Sequence, residues 1–106
     1  MITKKDTTQA GLSMSEFSQN LTFGEYVRLM LKADEITQEE FAKQMNCSKQ
    51  YINGIINGRE HVTLECAKKI SQVLGYSLAP FAEILLNEQM KKIDADYIIE
   101  VMKKTA

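Results

Sequence analysis

Apolar residues recur at three- and four-residue spacing through most of this chain, in five blocks separated by short polar breaks. That period predicts amphipathic helices rather than strands. The first block, Phe23, Tyr26, Val27, Met30 and Leu31, follows Thr22 and Glu25. Their T-x-x-E spacing lets each side chain satisfy a free amide of the other's backbone, so a helix is expected from here to about Lys32–Asp34. A second capping pair, Thr37 and Glu40, precedes Phe41, Ala42 and Met45. Asn46 then stands where a helix is left through the left-handed conformation, which asparagine tolerates better than most residues. Ser48 suits the cap of a third helix, with Tyr51, Ile52, Ile55 and Ile56 as its buried stripe and Asn57-Gly58 as its stop. Thr63 opens a fourth block (Leu64, Ala67, Ile70, Val73, Leu74) that Gly75 closes. A fifth starts at Ser77 or Ala79, tolerates Pro80 in its first turn, and carries Leu78, Phe81, Ala82, Leu85 and Leu86.

The second and third blocks, TQEEFAKQMNCSKQYINGIING from Thr37 to Gly58, organise the rest. Two short helices joined by so tight a turn cross steeply instead of lying antiparallel, which is a helix-turn-helix. Counting from Gln38, small Ala42 at the fifth position permits close approach, Asn46 at the ninth makes the turn, and Ile52 and Ile55 plug the crossing. In such a unit the second helix enters the major groove of DNA and its early residues face base edges. The face opposite Ile52 and Ile55 carries Lys49, Gln50, Asn53 and Gly54. Lys49 has the chemistry to donate to guanine or to pair with a phosphate, and Gln50 to make a bidentate contact to adenine. Asn53 can read an adenine or hold a phosphate. An ordinary polar surface is the plain alternative for all three. Tyr51 is ambiguous, able to bury its ring and aim its hydroxyl at a phosphate, or to touch a thymine methyl. Gly54 costs its helix about 1 kcal/mol against alanine. The first helix reads as scaffold.

The two ends are less periodic. Residues 1–20 are rich in Thr, Ser, Gln and Lys and lack a sustained period. They read as a flexible tail, or as an arm that orders on DNA through Lys4 and Lys5 or on a protein through Leu12, Met14 and Phe17. At the other end, Ile93, Tyr97, Ile98, Val101 and Met102 fit a helix, whereas Tyr97–Val101 is a compact strand-favouring block behind the polar break IDAD. As a strand it needs an edge partner, and the same strand of a second protomer would supply one. The organisation expected is a tail over 1–20, a helix-turn-helix domain over 21–87 and a dimerisation extension over 88–106.

Charge changes this picture. The chain has 13 basic and 14 acidic residues and a net charge of -1. Within 22–75 the balance is even: Arg28, Lys32, Lys43, Lys49, Arg59, Lys68 and Lys69 against Glu25, Asp34, Glu35, Glu39, Glu40, Glu60 and Glu65. A protein gripping DNA by bulk electrostatics would be basic. Any phosphate grip here comes from a few local groups and from two protomers acting together, or the fold has turned to a protein partner.

The run from Thr22 to Ser77 resembles the lambda-repressor-like (Cro and phage-repressor, XRE-type) helix-turn-helix family, and QYINGIINGREHVTLECAKKISQVLG is most similar to the DNA-binding module of HigA-type antitoxins. The resemblance implies an all-α, five-helix domain that binds double-stranded operator DNA as a homodimer, with the fifth helix in dimer contacts. It implies that Gln38 anchors the DNA backbone and buttresses the recognition helix, and that Asn57 and Arg59 grip neighbouring phosphates. Two positions depart from the family: Gly54 replaces a long base-reading side chain, and Ile56 replaces a polar residue. The DNA-facing set is then Gln38, Ser48, Lys49, Gln50, Tyr51, Asn53, Gly54, Asn57 and Arg59. A sequence-specific dimeric repressor is the expectation. The alternative is an antitoxin that binds a basic RNA-cleaving toxin and represses its own operon.

Other chemistries find little support. His61 is the one histidine and falls in a loop, so a nucleophile–base pair has no obvious second member. Cys47 and Cys66 form no C-x-x-C pair and read as core filler in a reduced, cytoplasmic setting. No Gly-rich phosphate loop, cofactor motif, metal-ligand spacing or apolar run long enough to cross a membrane stands out. The expectation is a protein without enzymatic activity.

Overall fold

The computed structural model describes residues 2–4 and 20–104. Among the described residues, five helices of the domain follow one another: α1 (Phe23–Ala33), α2 (Gln38–Met45), α3 (Lys49–Ile56), α4 (Leu64–Leu74) and α5 (Leu78–Ile93). A two-stranded antiparallel sheet joins the ends, β1 (Ile2–Lys4) to β2 (Tyr97–Ile99), in the register Ile2 to Ile99, Thr3 to Ile98 and Lys4 to Tyr97.

The caps form where the pattern predicts them. Thr22 and Glu25 make the reciprocal box, with Oγ1 accepting from the Glu25 amide at 3.1 Å and Oε1 from the Thr22 amide at 3.0 Å. The Thr22 backbone amide first, and then the Thr22 side chain, hydrogen-bond the Glu25 carboxylate and lower its pKa. Glu25 therefore contributes stability that is present above its ordinary carboxylate pKa and lost as pH falls through the depressed value. Glu25→Gln keeps the box but not the charge, so its acid unfolding curve is expected to lose part of this pH dependence, as thermal melts between pH 3 and 6 would read. At Thr37 the amide half of the box forms, but Glu40 Oε1 bonds the Thr37 hydroxyl at 3.1 Å. Asn46 is left-handed (φ 56°, ψ 48°), as is Gly75 (φ 82°). Ser48 and Thr63 cap α3 and α4 through the Tyr51 and Cys66 amides.

α2 packs on α3, α4 along α5, and α1 lies across α3 and α5. The core includes Phe23, Val27, Phe41, Ile52, Ile70, Phe81 and Ile84, all almost fully buried. Phe81 is its aromatic hub, meeting Tyr26 edge-on at 4.9 Å and Phe23 at 6.4 Å. Tyr76 lies beside it and donates to the Asp34 carboxylate at 2.8 Å, tying the α4–α5 corner to the end of α1. Leu64, expected in the apolar stripe of α4, is 46% exposed, because it is the first residue of its helix and overhangs the core.

Two expectations change. The boundary expected between 87 and 88 falls inside α5, which runs unbroken for 16 residues. Of the two readings of the C-terminal block, the strand forms, but its partner is the chain's own Ile2–Lys4 rather than a second protomer. The opposite edge of β2 is held by α5: the buried Asn87 amide donates to the Ile99 carbonyl and accepts from the Ile99 amide, both at 2.8 Å, and Glu83 Oε2 accepts from Val101 at 3.1 Å. The rest of the expected tail, including Lys5, Leu12, Met14 and Phe17, lies outside the described residues.

Candidate nucleic-acid interface

Three elements converge on one face. Gln38 heads α2, whose first-turn amides carry the positive end of the helix dipole. Lys49 and Gln50 are exposed in the first turn of α3, just past the Ser48 cap. Thr37, Gln38, Glu39, Lys49 and Asn53 line a shallow depression between the two helix starts. With Ser48 Oγ engaged by the Tyr51 amide, the first turn of α3 is held at an angle to α2 that projects Lys49 and Gln50 outward.

Asn53 is not a free base reader. Its amide nitrogen donates to Gln38 Oε1 at 3.3 Å, and Arg59 donates to its Oδ1 at 2.6 Å. Both polar ends are thus engaged, and the side chain bridges α2 to the loop after α3. Asn57, at the C-cap of α3, donates to the Asn53 carbonyl at 2.9 Å and accepts from Arg28 of α1 at 3.4 Å. Arg28 was assigned no role in the sequence. It lies off the apolar stripe of α1, which marks it as surface but not as neighbour to α3.

Gly54 departs further. It is buried, and the loop covers it: Arg59 and Glu60 donate to its carbonyl at 2.8 and 3.2 Å. A Cβ there would meet the Glu60 side chain at 2.6 Å. Gly54 therefore faces its own chain, and the expectation that it stands on the outward face is corrected. Tyr51 is half-buried with its hydroxyl 4.0 Å from Cys66 Sγ, so it points toward α4. Ile56 is buried, not exposed. Gly24 of α1, by having no side chain, lets α1 approach the Ile55 and Ile56 carbonyls closely at this end of α3.

Burial raises the pKa of both thiols, Cys66 and Cys47, and the Tyr51 hydroxyl pKa is raised chiefly by the neighbouring Cys66. Thiols held in the protonated form are poor nucleophiles. Both cysteines are expected to react with iodoacetamide at pH 7 several-fold more slowly than a free cysteine, as mass spectrometry of labelled protein would measure. Among the described residues, no group of three or more His, Cys, Asp or Glu is placed to hold a metal ion, and no helix is long and apolar enough to cross a membrane.

The sequence model of the family described as Helix-turn-helix matches residues 27–81, over half of the chain and spanning α2, the turn and α3. The chain belongs to the helix-turn-helix family, of the XRE or lambda-repressor-like kind. Comparison with curated proteins finds no match. The helix-turn-helix family is one of DNA-binding regulators of transcription, and α3 is the second helix of that motif in this chain.

Proposed function

We propose that this protein is a sequence-specific, dimeric repressor that reads a two-fold-symmetric operator through the helix Ser48–Ile56. The observation carrying this reading is the pairing of exposed Lys49 and Gln50 with a framework of Gln38, Asn53, Asn57 and Arg59 that is already hydrogen-bonded. Base readers standing on a preset framework lose less conformational freedom on binding. Gln38 and Arg59 serve the DNA backbone, Lys49 and Gln50 the bases, and Asn53 positions its neighbours. Two recognition helices about 34 Å apart, one helical turn of DNA, would address two half-sites.

The test is fluorescence anisotropy at physiological salt with a duplex from immediately upstream of the gene and a scrambled duplex beside it. Gln50→Ala is expected to relax discrimination at one base position by about 1–3 kcal/mol. An equal loss on every sequence would remove Gln50 from the base-reading role, and equal weak binding of both duplexes by the unaltered protein would count against sequence-specific reading altogether.

One observation favours a second reading, an antitoxin that also represses its own operon. Ile93 is 81%, Met102 69% and Tyr97 40% exposed, three large apolar side chains of the C-terminal segment left open to solvent. A partner protein would bury such residues. A toxin is the partner of this reading; co-expression with the product of an adjacent small reading frame that fails to restore growth would argue against it.

A further inference from the structure

The second arginine beside the recognition helix has no counterpart in the roles assigned so far. Arg28 leaves α1 on its exposed side and meets Asn57 at the C-cap of α3, 29 residues away in sequence. Arg59 reaches the same helix from the loop and meets Asn53. The two asparagines are one turn apart and themselves linked, since the Asn57 amide nitrogen donates to the Asn53 carbonyl at 2.9 Å. That bond fixes which end of the Asn57 amide is presented, leaving Oδ1 toward Arg28.

The acceptor of each guanidinium is therefore a neutral amide oxygen. An Arg–carboxylate pair orients the guanidinium but cancels its charge; an amide orients it and leaves the charge in place. Glu25, the acidic residue one turn before Arg28, gives its carboxylate to the Thr22 amide, and the attraction of Arg28 is the smallest of the influences on its pKa. Each guanidinium has five N–H donors in a planar fork, so one bond to an amide leaves donors for a bidentate phosphate contact. With so even a charge balance, a grip on DNA depends on such local cations rather than on the whole surface.

From this geometry we infer that Arg28 and Arg59 form a two-point phosphate clamp at the C-terminal end of the recognition helix, with Asn57 and Asn53 as its positioning residues. The inference rests on the DNA-binding reading and adds a contact from α1, outside the helix-turn-helix itself. The clamp grips backbone and so carries no sequence preference; it sets how deeply Lys49 and Gln50 enter the groove.

Arg28 could instead only complement the carbonyl end of α3, where a cation stabilises a helix. Salt dependence separates the two roles, because each phosphate contact contributes about 0.9 to the slope of log affinity against log salt. The full-length protein, Arg28→Ala, Arg28→Lys and a bulk-charge control, Lys103→Ala, would be titrated with a mixed-sequence duplex of about 20 base pairs at salt concentrations from about 50 to 200 mM. Arg28→Ala is expected to flatten the slope by about 0.9 per protomer, so that the affinity lost across that range shrinks about three- to four-fold for each contact removed. Arg28→Lys restores the slope, Lys103→Ala leaves it unchanged, and the melting temperatures of all variants match the parent. In a double-mutant cycle, Asn57→Ala is expected to couple with Arg28→Ala; strict additivity would remove Asn57 from its positioning role. If the parent binds with a normal slope and Arg28→Ala has the same slope, the clamp is overturned while DNA binding stands. If the parent shows no salt-dependent binding of duplex, the DNA-binding reading fails and the clamp falls with it.

Discussion

Gly24→Ala is expected to destabilise the protein by about 3 kcal/mol and to abolish DNA binding at temperatures where the parent still binds. The new Cβ would sit 2.5 Å from the Ile55 carbonyl oxygen and closer still to that of Ile56. Both obstacles are backbone, so no side chain can rotate away. Alanine gains about 1 kcal/mol of helix propensity over glycine, which is too little to offset the overlap. The helices must separate, opening the core around Phe23 and Val27, and α1 would carry Arg28 away from Asn57. Thermal unfolding followed by circular dichroism, with anisotropy on the same samples, measures both effects. A variant as stable as the parent would mean that α1 and α3 do not pack this closely.

Asn87→Leu has the second large effect, of a different kind. The Asn87 side chain supplies both partners of the Ile99 amide and carbonyl, acting as a piece of strand on the flank of α5. Leucine fills a similar volume but leaves two buried backbone groups unpaired, each costing about 1–3 kcal/mol. The two-stranded sheet pairs segments that lie outside the five helices and can lift away without unfolding them, so the loss is capped at the free energy of docking β2. The expected result is loss of amide hydrogen-exchange protection at Ile98 and Ile99 with a smaller fall in melting temperature. Protection in β2 equal to the parent's would refute the role of Asn87.

Much of this was legible in the linear pattern because the signals are local. A capping threonine and the glutamate three residues on determine where α1 begins whatever else the chain does, and Asn46 makes its turn through its own backbone. The apolar spacing of Ile52 and Ile55 states which side of α3 is inside. The places of Lys49 and Gln50 follow directly. Gly54 leaves the outward face expected of it, and Asn53 keeps that face with both polar ends engaged, for one shared reason: the loop after α3 folds back. Arg59 and Glu60 donate to the Gly54 carbonyl, and that return covers Gly54 and engages Asn53. Helical periodicity knows nothing of a covering loop.

Asn87 and Glu83 stood in the polar gaps of an apolar helix and gave no sign of their task, since their partners lie 12 and 18 residues further on. The β2 block was recognisable by its strand-favouring residues, but a strand needs only some edge to pair with, and composition does not say whose. The sequence by itself determined the five helices, the steep crossing of α2 and α3 and the outward face of the first turn of α3, all set by interactions within a few residues. Only the tertiary structure decided which glycine is a contact surface, which asparagine is already engaged, and that the one arginine of α1 stands beside α3. Those outcomes depend on distances between elements that no local period encodes.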